Sequence, residues 1–202
     1  MRGQAMKRVI SKLIEMKIPL QEFVALEFFA RDGEWQTKAY SDKVKKIFLW
    51  EIDPSFEINL QQNFSNAEIT IGDSFVIAHN HEYKNRFNFI VFDNPQGIFG
   101  NYCEHFEALE LLPLLLDKDG IVIFNINKKP FNYRDKSEWK DRRDKYYKFP
   151  TSNIETRRIS KFYINKLQNL GFKVKHCFEE KRNNEYLSYL VFILEKLTNI
   201  SN

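Results

Sequence analysis

Four acidic residues recur at nearly regular spacing through the first half of the 202-residue chain. Glu27, Glu51, Asp73 and Asp93 each lie within or directly after a short apolar run. A carboxylate accepts hydrogen bonds from hydroxyl and amino groups, and it attracts positive charge. Four carboxylates at one site would suit a ligand that carries ribose hydroxyls, an exocyclic adenine amine and a cationic centre. Whether they meet depends on the elements that position them.

Short apolar runs alternate with helical patterns along the chain. Runs rich in Phe, Ile, Val or Leu predict strands at residues 22–29, 47–51, 67–71, 87–92 and 120–126. Helices are predicted at residues 4–17, 35–43, 55–64, 74–82 and 102–116. This alternation requires a parallel, doubly wound α/β sheet, in which ligands bind at the carboxyl ends of the strands. All four acids are therefore expected at one edge.

The end of the chain predicts a different connection. A helix at residues 153–170 ends at Gly171, and strands at 172–181 and 187–197 flank a short turn at Arg182. Strands joined so tightly must be antiparallel. The expected fold is one domain over residues 1–202, with a mostly parallel seven-stranded sheet, a C-terminal antiparallel hairpin and helices on both faces. Residues 1–18 hold an N-terminal helix, and residues 128–150 form an insertion after strand five.

This arrangement resembles the seven-stranded sheet of the class I S-adenosylmethionine-dependent methyltransferases. ALEFFARDGEWQT (25–37) resembles the first motif of that family: Glu27 matches the acid and Gly33 the last glycine, while Phe29 or Ala30 replaces the first glycine. The other three motifs are matched by FLWEIDP (48–54), IGDSF (71–75) and FIVFDNPQG (89–97).

The resemblance implies S-adenosylmethionine as the cofactor and methyl transfer to a nucleic acid, a protein or a small molecule. Glu51 is expected to accept both ribose hydroxyls, and Asp73 to accept the adenine amine. The complete set of residues expected to bind the cofactor is Glu27, Phe28, Ala30, Asp32, Gly33, Glu51, Ile52, Asp73, Ser74 and Asp93. Trp35 and Thr37 begin the next predicted helix, and Trp35 is expected to pack rather than to act.

The segment DNPQGIFG (93–100) is expected to face the methyl acceptor, with Asp93 and Asn94 as catalytic residues. Asn94-Pro95 is similar to the Asn-Pro-Pro-aromatic motif of amino-group methyltransferases, although Gln96 and Gly97 replace its last two positions. Further substrate contacts are expected from Pro95, Gln96, Tyr102 and His105.

Two other functions fit some of these features. The same segment is similar to aminopropyltransferases, which use decarboxylated S-adenosylmethionine, but the chain lacks their glycine-rich first loop and has no room for their N-terminal β-domain. The unusual first loop also suits a catalytically inactive binding or scaffold subunit. Pairs such as Cys103 and His105 lack the second ligand pair of a zinc site, so no metal is predicted.

The insertion has a distinct composition. Residues 128–149 hold nine Lys or Arg and four Asp or Glu, interleaved with aromatic residues. Basic and aromatic side chains together suit phosphate contact and base stacking, so Trp139, Arg142 and Arg143 are candidate nucleic-acid contacts. The alternative is a solvated helix that covers the sheet edge.

The whole-chain composition narrows the cellular context. A net charge of +4 is too small to name a partner, and the chain has only two cysteines. It contains neither a signal-peptide core nor an apolar run long enough to span a membrane. These features favour a reduced cytoplasmic location, and they leave the oligomeric state open.

Overall fold

The computed structural model describes residues 3–93, 98–99, 102–103, 107–128, 137–149, 154–182 and 187–197. The strands are β1 (Val24–Phe28), β2 (Lys46–Glu51), β3 (Glu68–Ile71), β4 (Phe87–Phe92), β5 (Ile98–Phe99), β6 (Tyr102–Cys103), β7 (Leu116–Asn127), β8 (Phe172–Lys181) and β9 (Leu187–Lys196). The α-helices are α1 (Gln4–Glu15), α2 (Glu57–Asn63), α3 (Ser74–Ile77), α4 (Leu112–Leu115), α5 (Ser137–Tyr147) and α6 (Thr156–Asn169). Single 3₁₀ turns occur at Leu20–Glu22, Thr37–Ala39, Pro54–Phe56, His81–Tyr83 and Leu109–Leu111.

Seven strands form one sheet in the order β3-β2-β1-β4-β7-β9-β8. The first five strands in this order are parallel, and β9 runs antiparallel to both β7 and β8. Strands β5 and β6 form a separate two-stranded hairpin. The predicted fold class and the C-terminal hairpin are therefore confirmed. Phe28 is in register with Trp50 and Phe92, so the acids that follow β2 and β4 lie at the same edge.

The inner strands of the sheet are largely buried on both faces, as their nearly continuous apolar sequences predict. One face packs against α6, which buries Ile159, Tyr163 and Leu167. The other face packs against α1, whose apolar residues recur at helical spacing and include Met6, Val9 and Leu13. The prediction of helices on both faces is confirmed. No helix within the described residues is long and apolar enough to cross a membrane.

Several predicted helices are shorter in the structure. The helix predicted at 35–43 is only the turn Thr37–Ala39, because Tyr40 turns its side chain into the sheet. Asn80 accepts a hydrogen bond from the Glu82 amide and starts a separate turn, which ends the helix predicted at 74–82. The helix predicted at 102–116 is confirmed in part: residues 107–115 are helical, while β6 occupies 102–103 and Leu116 begins β7. Pro113 lies in the first turn of α4, where proline is favoured.

Candidate functional site

A cleft of about 210 Å³ opens at the carboxyl edge of the sheet, beside the switch point between β1 and β4. It is bounded by the loop after β1, by the end of β4 and by the residue that follows β8. Its lining residues are Glu27, Phe29, Ala30, Arg31, Asp32, Gly33, Trp35, Gln36, Thr37, Asp93 and Arg182. The structure thus brings the acids of β1 and β4 together in one site.

The loop after β1 turns with a single glycine. Phe29 has φ 61° and Arg31 has φ 53°, which is an uncommon backbone region for residues with a side chain. Gly33 has φ 65°, and a Cβ atom on it would lie 2.2 Å from the ring of Phe64. Glycine is needed at this position because both the backbone angle and the neighbouring ring exclude a side chain. The compact loop leaves the cleft open above Glu27.

Glu51 holds this loop in place. Its Oε2 atom accepts a hydrogen bond of 2.6 Å from the Arg31 amide, and its Oε1 atom accepts bonds of 2.9 Å from the amides of Ile52 and Asp53. A carboxylate offers about four acceptor positions, so one position on Oε2 remains. Three backbone amides therefore use most of the acceptor capacity of Glu51, and the contact predicted with both ribose hydroxyls stays a prediction.

The acids at the ends of β2 and β3 also cap helical turns. Asp73 accepts a bond of 2.8 Å from the Phe75 amide at the start of α3, and Asp53 accepts one of 2.9 Å from the Ser55 amide. Asp73, the buried Ser74 and Ile52 are not part of the cleft lining. Ile52, at the end of β2, is 38% exposed and presents apolar surface at this edge.

Phe28 does not contribute to the cleft. Its side chain is fully buried, and its ring centroid lies 4.7 Å from that of Phe92 and 5.1 Å from that of Trp50. The prediction that Phe28 contacts the cofactor is wrong, because strand alternation points it into the core on the α6 face. Trp35, which was expected to pack in the interior, is 47% exposed and lines the cleft.

Glu27 is a buried carboxyl at the inner wall of the cleft, with 3% of its surface exposed. Tyr40 donates its hydroxyl hydrogen to Oε2 of Glu27. The pKa of Glu27 is raised to about 8, mainly by burial. The hydrogen bond from Tyr40 lowers this pKa, and the nearby negative charge of Asp93 adds to the increase. Glu27 is therefore mostly protonated and neutral at pH 7 in the free protein.

Asp93 lies in the same cleft, but different partners set its pKa. Arg182 donates from Nη1 to Oδ1 of Asp93 at 3.0 Å, and Tyr189 donates its hydroxyl hydrogen to the same oxygen at 3.0 Å. Burial raises the pKa of Asp93 to about 6, while Arg182 and Tyr189 lower it. Asp93 is therefore mostly ionised at pH 7, and its charge is compensated by a cation that also lines the cleft.

The site continues across neighbouring strands as a row of polar side chains. Ala25, Val91 and Ile123 are buried on the α1 face of the sheet. Side chains two positions apart on a strand share a face, so Glu27, Asp93 and Asn125 lie on the α1 face as well. Tyr189 belongs to the same face. Asn125 is in register with Tyr189 and is fully buried, and no side chain or backbone group among the described residues hydrogen-bonds its side-chain amide.

Sequence reasoning missed Gln36, Arg182, Tyr189 and Asn125. Arg182 was predicted only as part of a turn, yet that turn follows β8 at the same edge as the cleft. The available signal was the antiparallel pairing itself, because a hairpin after a parallel strand must turn at the carboxyl edge. The polar residues Asn125 and Tyr189 within apolar strands were a second signal.

Several predicted substrate contacts lie outside the described residues. These are Asn94, Pro95, Gln96 and His105, and the same holds for the side chains of Tyr102, Trp139 and Arg142. Their roles stay predictions. The backbone of Tyr102 belongs to β6. In the described part of the chain, no three His, Cys, Asp or Glu side chains lie close enough to hold a metal ion.

Arg143 is not a nucleic-acid contact. Its side chain is fully buried, donates to the backbone carbonyl of Asn127 and lies 5.2 Å from the centre of the Tyr147 ring. Tyr147 in turn packs against Phe162 of α6, with 4.9 Å between ring centroids. The prediction is wrong because this side of α5 belongs to the core rather than to solvent.

Replacing Arg143 with alanine should therefore reduce stability and leave nucleic-acid binding unchanged. The buried Asn127 carbonyl would lose a donor, and the helix would lose packing, at a cost of about 2 kcal/mol in the free energy of unfolding. Urea unfolding and RNA binding at low salt would measure the two effects, with the exposed Lys145→Ala as the control. Normal stability combined with lost RNA binding would restore the original interpretation.

Comparison with known proteins supports the fold. The sequence matches no family model and no curated protein. Trm1 from Pyrococcus horikoshii, solved with S-adenosyl-L-methionine, is similar with a TM-score of 0.66 and 12% identity, over 96% of this chain and 55% of that one. This chain thus spans about half the length of Trm1.

Two further solved structures cover most of both chains. The 1,6-didemethyltoxoflavin-N1-methyltransferase of Burkholderia thailandensis, with bound S-adenosylhomocysteine, has a TM-score of 0.59 at 12% identity, over 97% of this chain and 80% of that one. TYW2 of M. jannaschii, in complex with AdoMet, has a TM-score of 0.51 at 15% identity, over 98% and 78%. This chain therefore has the fold of the class I S-adenosylmethionine-dependent methyltransferases.

Proposed function

We propose that this protein is a cytoplasmic S-adenosylmethionine-dependent methyltransferase. The observation that carries the proposal is the cleft at the switch point of this fold, where Glu27 and Asp93 face one space. Its volume, about 210 Å³, is below that of most sites for a whole cofactor-sized ligand. The cleft is large enough for the methionine and sulfonium end of S-adenosylmethionine, and Glu27, Asp32 and Gly33 would line that end.

The adenosine half of the cofactor would lie outside the cleft, toward the ends of β2 and β3. The exposed side chain of Ile52 offers an apolar surface for the adenine ring. The remaining acceptor position on Glu51 can take one ribose hydroxyl, and the Asp73 oxygen that does not cap α3 can accept from the adenine amine. These contacts use groups that the fold already holds in place.

Methyl transfer is a displacement at carbon, so the protein contributes mainly by alignment of the acceptor with the sulfonium. Asp93 suits a general base, because a pKa of about 6 leaves it ionised at pH 7 and able to take a proton. The nearby carboxylate also favours the positive charge of the cofactor. Arg182 and Tyr189 fix the orientation of Asp93 through a single oxygen.

Binding of S-adenosylhomocysteine tests the proposal, because a ligand specific to the native state raises the unfolding temperature. We expect a rise in the wild-type protein, together with a change in the fluorescence of Trp35 at the cleft wall. Ile52→Asp should weaken binding at least tenfold by adding a charge to the expected adenine surface. The exposed Ile58→Asp on α2 is the matched control and should bind normally.

The comparison of ligands separates the alternatives. Absence of any stabilisation at millimolar S-adenosylhomocysteine would contradict the proposal. Binding without transfer of a tritiated methyl group to RNA, protein or small-molecule pools would indicate an inactive binding subunit. Preference for decarboxylated S-adenosylmethionine would indicate aminopropyl transfer.

A further inference from the structure

We infer that a basic ridge beside the start of α6 binds single-stranded RNA and holds it at the edge of the sheet where the cleft opens. The ridge consists of four exposed cations: Lys148, Arg157, Arg158 and Lys161. The RNA site follows from this surface alone, while the further step, that the bound RNA is the methyl acceptor, rests on the proposed function.

The cations of the ridge have no counter-ions. None of the four forms an ion pair with any residue in the described part of the chain, whereas Lys166, further along α6, is paired with Glu110 at 2.5 Å. The sequence of α6 contains no Asp or Glu. Glu155, which precedes α6, is exposed and does not cap the helix with its side chain. The ridge is therefore a surface of uncompensated positive charge.

Three of these cations lie where a helix disfavours them. Arg157, Arg158 and Lys161 belong to the first two turns of α6, and the aligned peptide dipoles place partial positive charge at that end. Lys161 also lies three and four positions after the two arginines, a spacing at which like charges repel each other. This arrangement costs stability in the free protein. An anionic ligand would relieve both repulsions.

Arg158 offers a planar surface as well as a charge. Its guanidinium lies over the Phe149 ring, 4.1 Å from the ring centre, and the residue is exposed. The Phe149 ring packs in turn against Phe162 of α6, with 6.2 Å between centroids. A guanidinium supported in this way can stack on an unpaired base while its neighbours contact phosphates. The bases of a duplex already stack on one another, and single strands in a cell are mostly RNA.

The same surface does not suit a membrane. A helix that binds at a lipid interface inserts large apolar side chains beside its basic residues. Among the residues whose side chains are described, no exposed large apolar side chain belongs to α5 or α6. The ridge therefore offers charge and a stacking plane without an apolar anchor, which favours RNA over a lipid surface.

The start of α6 lies at the same edge of the sheet as the cleft. The Ile154 amide donates to the backbone carbonyl of Lys128 at 2.8 Å, and Lys128 directly follows the end of β7. Strand β7 is parallel to β4, with Phe124 in register with Phe92, so both strands end at this edge. Asp93 follows Phe92 and lines the cleft. An RNA strand on the ridge is therefore held at the edge where the cleft opens.

A triple variant tests the inference. Arg157→Gln, Arg158→Gln and Lys161→Gln together remove three positive charges and keep a good helix former at each position. Its affinity for a fluorescently labelled oligouridine, measured by anisotropy, should be at least tenfold lower than that of the wild type. The slope of log K against log salt should decrease by about 2, because each phosphate contact in a single strand contributes about 0.7.

A second triple variant controls for net charge. Lys7→Gln, Lys45→Gln and Lys84→Gln remove the same charge from exposed lysines on α1 and at the amino edge of the sheet. This control should bind oligouridine nearly as the wild type does. Equal losses in the two triple variants would show that only net charge matters and would overturn the inference.

Arg158→Lys separates stacking from charge. Lysine keeps the positive charge and removes the guanidinium plane, so affinity for oligouridine should fall at least threefold while the salt slope stays unchanged. An affinity equal to that of the wild type would contradict the stacking role and, with it, the assignment to single strands.

Stability and cofactor binding separate the remaining outcomes. The Arg157, Arg158 and Lys161 triple variant should be at least as stable in urea as the wild type, because repulsion is removed, and should bind S-adenosylhomocysteine normally. Tighter binding of duplex DNA than of oligouridine, or binding of phosphatidylserine vesicles in place of RNA, would overturn the inference. If the ridge binds RNA but the protein does not bind S-adenosylhomocysteine, the proposed function fails and the RNA site stands. If S-adenosylhomocysteine binds and RNA does not, the RNA site fails alone.

Discussion

Glu27→Gln should remove most of the pH dependence of stability between pH 6 and pH 8. Burial raises the pKa of Glu27 from 4.5 to about 8. Between these values the native protein keeps a proton that the unfolded chain has lost, so wild-type stability falls as the pH rises. The slope is about 1.4 kcal/mol per pH unit well below the native pKa and falls to half of that at pH 8, so the total from pH 6 to pH 8 is about 2 kcal/mol. Glutamine is neutral throughout, so the variant should lose none of this.

The interval is chosen to exclude the second buried acid. Burial raises the pKa of Asp93 only to about 6, so its own contribution is largely complete below the window. Urea unfolding at half-unit pH steps measures the effect, and Glu15→Gln makes the same change at an exposed carboxyl. Parallel pH profiles for wild type and Glu27→Gln would show that Glu27 is already ionised in the native protein.

Gly33→Ala should destabilise the protein by about 2–4 kcal/mol and prevent binding of S-adenosylhomocysteine. About 1 kcal/mol comes from the left-handed backbone, and the remainder from the overlap of the new methyl group with the Phe64 ring. Either the ring or the loop after β1 must move, and that loop forms most of the cleft wall. Urea unfolding and a binding isotherm measure the two effects.

Gly171 provides the control for the backbone contribution. It has φ 87°, and a Cβ atom there would meet nothing within 4 Å. Gly171→Ala should therefore cost only about 1 kcal/mol and leave binding intact. Phe64→Leu, added to Gly33→Ala, should recover part of the lost affinity. Equal effects of the two glycine substitutions would show that contact with Phe64 is unimportant.

The sheet was predictable because its signals are local. The segment 87–92 is bounded by polar residues and is apolar except for Asn88, and it forms β4 as predicted. The acids after β2 and β4 meet at one edge for the same reason: parallel strands share a direction. Helix lengths were less predictable, since the side chain of Tyr40 leaves the helical pattern to bond a residue thirteen positions earlier.

Site residues were predictable only where the position of a single strand end is enough to place them. Asp93 and Glu27 follow from their own strands, but the partners that set their pKa values come from distant segments. Arg182 is 89 positions from Asp93 in the sequence, and only the folded sheet shows that the two side chains meet. The prediction for Arg143 was wrong for a related reason. A basic residue near aromatic residues has the same local sequence pattern whether that side of the helix faces solvent or the core.

The two residues that hold Asp93, Arg182 and Tyr189, both belong to the C-terminal hairpin, which is synthesised last. Glu27 and Asp93 are synthesised long before the final hairpin, so Asp93 cannot gain the hydrogen bonds from Arg182 and Tyr189 until the last strands are translated. Translation of the last strands supplies the guanidinium and the phenol together. Competence to bind a ligand should therefore arise only late during synthesis.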